Sequence, residues 1–419
     1  MELPDIDLSD VTGFWTRPPA EREAAFTRLR AEDPIRFFEE RAVHYNETEI
    51  LPAGPGYWAI TRHSDIIEAS RRADLFSSGI GGTQIADLPL EFNEFFGSMI
   101  NMDDPRHARL RRLVSRGFTP RTLDRVSRQV EQVAARIVED LARMGECDFV
   151  TEVAARLPLQ IICEMMGIPE NRHQEVFHLS NIILSQGDPE YIPEGENLLD
   201  ALLVAGAGLA EIMNELSTAR RAEPTDDITS ILIHAEVDGE RLNQAELASF
   251  FVLLCAAGNE TTRNSISHGM VALTDNPDQR RVWLNDIDGV TPTAVEEMVR
   301  WASPVIHFRR TVTTDGARLG DKEFKAGDKV VLWYNSANRD EAVFENPHRF
   351  DVLRNPNDHI GFGGPGPHFC LGAHLARRQI GTMFRELLKR FPDIRTTGEP
   401  DRLRSNFING IKHLPCSVS

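Results

Sequence analysis

From residue 243 to 274 the chain reads as one helix of about 30 residues, against a mean of ~11, and its middle is apolar on every side. A surface helix carries one apolar stripe, whereas a helix apolar all round must run through a core. The feature predicts a mainly α fold built around a long central helix. Its strongly apolar run, Phe250 to Ala257, is too short for a membrane span, which needs about 20 residues.

Shorter periodic segments point to the same class. Residues 120–144 place Val126, Val130, Val133, Ala134 and Ile137 at helical spacing. Helices are also predicted over 157–167, 172–185, 197–221, 228–235, 293–301 and 370–390. Pro304 stops the helix ending at 301. Extended segments are few: 57–61, 308–313 and 329–334, with turns at Leu319-Gly320-Asp321 and Ala326-Gly327-Asp328. Length alone, at ~150 residues per domain, would give about three domains. No repeat, low-complexity segment or linker divides the chain, so one domain over 1–419 with small β-sheets is expected.

Lys and Arg number 46 and Asp and Glu 64, a net charge of −18. Nucleic-acid and anionic-membrane binders usually show a basic footprint, so neither class fits. A local basic patch for an acidic protein partner remains compatible. Residues 1–7 are acidic and interrupted by Pro4, unlike a signal peptide; a soluble, cytoplasmic protein is expected. The five cysteines, Cys147, Cys163, Cys255, Cys370 and Cys416, are scattered and form no CxxC. Neither a disulfide framework nor a zinc pattern is visible.

The densest punctuation lies at Gly361-Phe362-Gly363-Gly364-Pro365-Gly366-Pro367-His368-Phe369-Cys370-Leu371-Gly372. It contains a literal Gly361-x-Gly363-x-x-Gly366, with Glu386 downstream, as a dinucleotide-dependent dehydrogenase would show. No buried strand precedes that match, and Pro365 and Pro367 remove amide donors that a pyrophosphate would use. The alternative puts the chemistry on Cys370 at a helix start, where the dipole and free amides favour a thiolate. Glycines let the backbone approach a flat ligand closely. A rigidly held thiolate suits haem iron, where its electron donation favours O–O cleavage.

This segment resembles the haem-binding signature of the cytochrome P-450 family, FxxGx(H/R)xCxG, through Gly366, His368, Cys370 and Gly372. Phe362 stands eight residues before Cys370 rather than seven, a longer loop that some actinobacterial steroid- and lipid-oxidising members share. Ala257-Gly258-Asn259-Glu260-Thr261-Thr262 resembles the family's (A/G)Gx(D/E)T, whose acid–alcohol pair delivers protons to bound oxygen; that role maps onto Glu260 and Thr261. Thr261 can also bond back to the carbonyl of Ala257 and open the helix locally. Glu297 and Arg300 resemble ExxR, and Arg354 closes a segment like FxxPxxFDxxR; together they imply a structural network that shapes the haem loop. The resemblance further implies haem-propionate binding by His107, Arg111, Arg310 and His368.

Four motifs in family order imply a haem-thiolate monooxygenase with one haem b held by Cys370. Oxygen comes from O2, and electrons come from NAD(P)H through a ferredoxin and its reductase. The reaction is RH + O2 + two electrons + two protons giving ROH + water. Phrases such as Phe96-Gly97-Ser98-Met99-Ile100 and Asn409-Gly410-Ile411-Lys412 resemble actinobacterial methyl-branched lipid omega-hydroxylases, with the cholesterol 26-monooxygenase group as the rival. Omega-hydroxylation of a branched lipid or isoprenoid is the resulting expectation, with a sterol side-chain (C26/C27) monooxygenase as the alternative. A non-catalytic haem-binding sensor is the alternative from another class; it would keep Cys370 and have no need of Glu260-Thr261. The expected pocket segments are 95–100, 249–257, 305–308 and 407–409. Arg112, Arg116, Arg377 and Arg378 accompany the elements carrying the haem contacts, so a basic face for an acidic ferredoxin is expected there.

Overall fold

The central helix runs from Gln244 to Asp275. Asn243 caps it: its Oδ1 accepts from the Glu246 amide at 2.9 Å, and the Glu246 carboxylate accepts from the Asn243 amide at 3.0 Å, a capping box. In this computed structural model, residues 2–45, 48–185, 187–192 and 197–418 are described, the side chains of 120, 121 and 123 excepted. Helices Leu90–Gly97, Arg156–Met166, Leu198–Ala222 and Ile287–Ala302 all pack against the central helix. That ring of neighbours explains why its sequence is apolar all round. Close passage is required at Gly258, where an added Cβ would lie 2.4 Å from Ile162 Cδ1.

The helix Pro120–Met144 is capped by Thr119 and ended by Gly145 at φ 75°. Its buried stripe of Val126, Val130, Val133, Ala134 and Ile137 packs on Arg156–Met166 and on the C-terminal helix Ala373–Arg390. Two helix starts differ from the sequence expectation. The helix expected from 293 begins at Ile287, with Asp286 accepting from the Gly289 amide at 2.9 Å. Pro292 gives up one bond inside it without ending it. The helix expected from 370 begins at Ala373, after Gly372. The Cys370 amide donates instead to the Phe362 carbonyl at 3.0 Å.

The described chain is 53% helix with small sheets. The largest has five strands in the order Ile35–Phe38, Tyr57–Ile60, Lys329–Trp333, His307–Val312, Phe76–Ser77. The three strands expected from sequence are its three inner members. Lys329–Trp333 is buried along its whole length, which accounts for its unbroken apolar run. Its Val331 faces Ala59 on one side and Arg309 on the other. This sheet carries Phe308 and Arg310 towards the Cys370 segment.

A buried ion network ties the fold together behind that segment. Arg300 donates to both carboxylate oxygens of Glu297 at 2.7 Å, and Arg354 Nε donates to Glu297 Oε2 at 3.1 Å. Arg300 and Arg354 spend their other N–H groups on the carbonyls of Asn338, Glu345, Asn346, Pro347 and Arg349. A buried charge costs several kcal/mol unless it is paired and hydrogen-bonded; here the donors are accounted for.

Candidate active site

Cys370 stands at the end of a closed loop. The Gly363 amide donates to the Ile360 carbonyl at 3.0 Å and the Phe369 amide to Gly366 at 3.2 Å, before the Cys370–Phe362 bond closes the turn. Gly366, at φ 151°, has no room for a side chain: a Cβ would lie 2.3 Å from the Ser70 carbonyl oxygen. Gly363, at φ 85°, has the opposite surroundings. A Cβ there would meet only the His368 carbonyl oxygen, at 3.7 Å, and would project into free space.

The cavity beside this loop is lined by Cys370 together with His107, Arg111, Thr261, Arg310 and His368. Six of the seven site residues expected from sequence thus share one cavity, although they come from four separate elements. The seventh, Glu260, is absent from its wall. Its Oε1 accepts from Asn264 Nδ2 at 2.8 Å and from Arg263, whose other terminal nitrogen reaches Asn181. Thr261 Oγ1 donates to the Ala257 carbonyl at 2.7 Å, as expected, but the helix, expected to open there, stays continuous. Its lone pairs are left free to accept a proton donor in the cavity.

The cationic residues gather on one side. His107 and His368 have ring centroids 4.3 Å apart. His107 Nδ1 lies 3.3 Å from an Asp104 carboxylate oxygen, while its buried Nε2 has no partner. Burial lowers the pKa of His107. Burial, then Arg310, His107 and Arg111, push His368 down to about 2. Arg111 donates to the Phe369 carbonyl at 2.6 Å, and Arg310 to the Arg309 carbonyl at 2.8 Å. The two arginines and two neutral imidazoles thus gather on one side of the cavity, with Asp104 reaching only His107 Nδ1. The residues present fit a flat macrocycle bearing two carboxylates: His107, Arg111, Arg310 and His368 would be the side chains to hold the carboxylates, and Cys370 would be the one to hold its metal.

Burial raises the Cys370 thiol, against a backbone hydrogen bond at Gly372 and the charges of Arg111 and Arg377. Its protein surroundings therefore do not favour a thiolate, and a metal bound here would remove the proton on ligation. The rest of the wall is largely apolar. Met99, Ile100, Phe250, Leu253, Leu254, Ala257, Val305 and Phe308 come from three of the expected pocket segments. The fourth, 407–409, is not on the wall; Phe407 packs against Phe308 and His307 from behind. Phe95 and Phe96 also turn away, onto Gly206 of Leu198–Ala222. Ser265, Tyr334 and Gln379 are lining residues that sequence reasoning missed. Outside a recognised motif, nothing local marks which face of their elements meets the cavity.

A second groove, lined by residues including Arg136, Glu139, Asp140, Arg143 and Glu164, is charged and shares no residue with this cavity. Among the described residues no helix is long and apolar enough to cross a membrane.

The family model of cytochrome P450 matches residues 205–409. Methyl-branched lipid omega-hydroxylases of Mycobacterium bovis and Mycobacterium tuberculosis are each 49% identical over 423 residues, covering 100% of this chain and 95% of the relative. A steroid C26-monooxygenase of Mycolicibacterium smegmatis is 40% identical over 419 residues, 98% of this chain and 92% of the relative. Among solved structures, a Mycobacterium marinum cytochrome P450 in complex with pseudoionone is 44% identical, with a TM-score of 0.91 over 99% of this chain and 98% of that one. Cavity, fold and relatives agree, and the chain belongs to the cytochrome P450 family: it is a monooxygenase whose cofactor is a haem.

Proposed function

We propose that this protein, working as one domain over 1–419 in the cytoplasm, hydroxylates the terminal methyl of a methyl-branched lipid or isoprenoid. The observation that carries the reading is the apolar wall facing Cys370, with Thr261 as a polar group set into it. The 49% identity to methyl-branched lipid omega-hydroxylases supports the substrate class. Cys370 would hold the iron of a haem b, and His107, Arg111, Arg310 and His368 would hold its propionates. When bound, the haem supplies O2 activation and oxygen transfer.

The chain's own residues bind, orient and manage protons. Each methylene buried against the wall contributes ~0.8 kcal/mol, but burial alone selects no carbon. A terminal methyl C–H bond is stronger than the adjacent tertiary one, so attack at the terminus requires a wall that admits only the chain tip. A methyl branch fills that end and fixes the rotation of the tip. Thr261 Oγ1 accepts a proton donor at the cavity wall. Glu260 serves that proton path only when its carboxylate parts from Arg263. Electrons arrive from NAD(P)H through a separate reductase and an acidic ferredoxin.

Mass spectrometry of products from matched branched and straight-chain fatty acids, with a ferredoxin system, tests the reading. Terminal alcohols from the branched substrate, with slower turnover of the straight chain, are expected. Mainly tertiary alcohols, or equal turnover, refute it. The 40% identity to a steroid C26-monooxygenase favours a second reading, sterol side-chain hydroxylation. A sterol arm in the same experiment decides between them.

A further inference from the structure

Glu296 and Glu297 are sequence neighbours on Ile287–Ala302, yet they serve different partners. Glu297 turns to Arg300 and Arg354. Glu296 turns to the Cys370 segment and meets both of its flanks. Arg377, on the helix that follows Cys370, donates from Nε to Glu296 Oε1 at 2.5 Å and from Nη2 to Oε2 at 2.9 Å. His359, ahead of the loop, lies with Nε2 2.9 Å from Oε2. The Gly361 amide donates to His359 Nδ1 at 3.1 Å, so Nε2 carries the proton and donates to the carboxylate. The Arg377 guanidinium also covers the Phe362 ring, 4.4 Å from its centroid, and Phe362 supplies the carbonyl that holds the Cys370 amide.

We propose that His359, Glu296 and Arg377 form a brace that sets the reduction potential of the haem iron, with Glu296 neutralising a cation that otherwise acts on the Cys370 sulfur. The inference rests on Cys370 as axial ligand. Arg377 stands in the first turns of the helix that follows Cys370 and covers Phe362, whose carbonyl holds the Cys370 amide; its charge, like that of Arg111, lowers the Cys370 pKa. Reduction adds one electron to a thiolate-bound centre, with no bond made or broken. A nearby positive charge favours the reduced state and a negative one the oxidised state. The bidentate ion pair nearly cancels the two. Removing either partner alone unbalances the field, in opposite directions. Glu296, Arg377 and His359 are positioning residues: they act through Cys370 and touch no substrate.

The test is a dye-monitored reductive titration of the haem-loaded protein, with dithionite as the electron source, at low salt. Glu296→Gln leaves Arg377 unbalanced and should shift the reduction equilibrium about tenfold towards the ferrous form, 59 mV for one electron. Arg377→Gln should shift it a similar amount the other way. The double variant should return close to the starting value. A merely structural brace would lower the fraction of protein with a thiolate-haem spectrum and leave the potential of the remainder unmoved; that result, or shifts of the same sign, overturns the proposal. Should Arg377→Gln fail to hold haem, Glu296→Gln decides alone, and no rise overturns it. The carbonyl spectrum of the ferrous wild type separates the two levels. Without a thiolate signature the Cys370 assignment fails; with one and an unmoved potential, only the brace fails.

Discussion

Cys370 is a thiol that its own surroundings do not ionise. Burial pushes it up, and the opposing hydrogen bond and arginines reduce the shift without reversing it. The other cysteines are worse placed. Burial pushes Cys147 to about 11, Cys163 and Cys416 to about 12, and Cys255 well above the usual range. Cys370→Ala should abolish the thiolate-haem spectrum, while alanine at each of the other four should retain it; a surviving signature in Cys370→Ala refutes the assignment. Thr261 separates chemistry from haem binding. Thr261→Ala should bind haem and substrate normally but divert most reducing equivalents to peroxide, at a cost in coupling of roughly tenfold or more. Product formed per NAD(P)H consumed measures this, and unchanged coupling would reduce Thr261 to a helix-packing residue.

At the scale of elements, Ile287–Ala302 holds the two flanks of the Cys370 segment through Glu296, while Glu297 serves Arg300 and Arg354. Burial alone would raise the Glu296 carboxyl, but hydrogen bonds from His359 and Arg377 outweigh it and hold the pKa at about 2, against an ordinary 4.5. A depressed carboxyl stabilises the fold above its unfolded pKa, and that contribution fades as pH falls from about 4.5 to about 2. It amounts to no more than about 3 kcal/mol at neutral pH, at 1.36 kcal/mol per unit. Wild type should lose stability through this window more steeply than Glu296→Gln, in acid-unfolding curves followed by circular dichroism. Parallel curves would show that the pair contributes little. The same helix shows how far local signals carry. Its Glu297–Arg300 spacing was legible, but its start was hidden by Pro292, whose local penalty the Asp286 cap and the packing on the central helix override.

For the whole molecule, a net charge of −18 requires any acidic partner to dock on a local exception. Of the four arginines expected to form one, Arg377 is tied to Glu296 and Arg378 to Glu131. Arg112 is mostly exposed beside Asp238 at 3.3 Å, and Arg116 is exposed. Electron-transfer rates from an acidic ferredoxin should fall roughly tenfold between low and physiological salt, and Arg116→Glu should lower them further. Salt-independent rates would refute steering by this face. What the sequence alone determined is the chemistry that motifs encode locally: the loop glycines and Cys370, the Glu297–Arg300 pair, the Thr261 back-bond and the central helix. A few adjacent residues fix each of these. Only the tertiary structure decided which neighbours face the cavity. Thr261 lines it while Glu260 turns to Arg263, and Met99 lines it while Phe96 turns to Gly206. Only the tertiary structure joined Glu296 to His359 and Arg377, 63 and 81 residues along the chain. Such pairings depend on where separate elements pack, and no local pattern of residues records that.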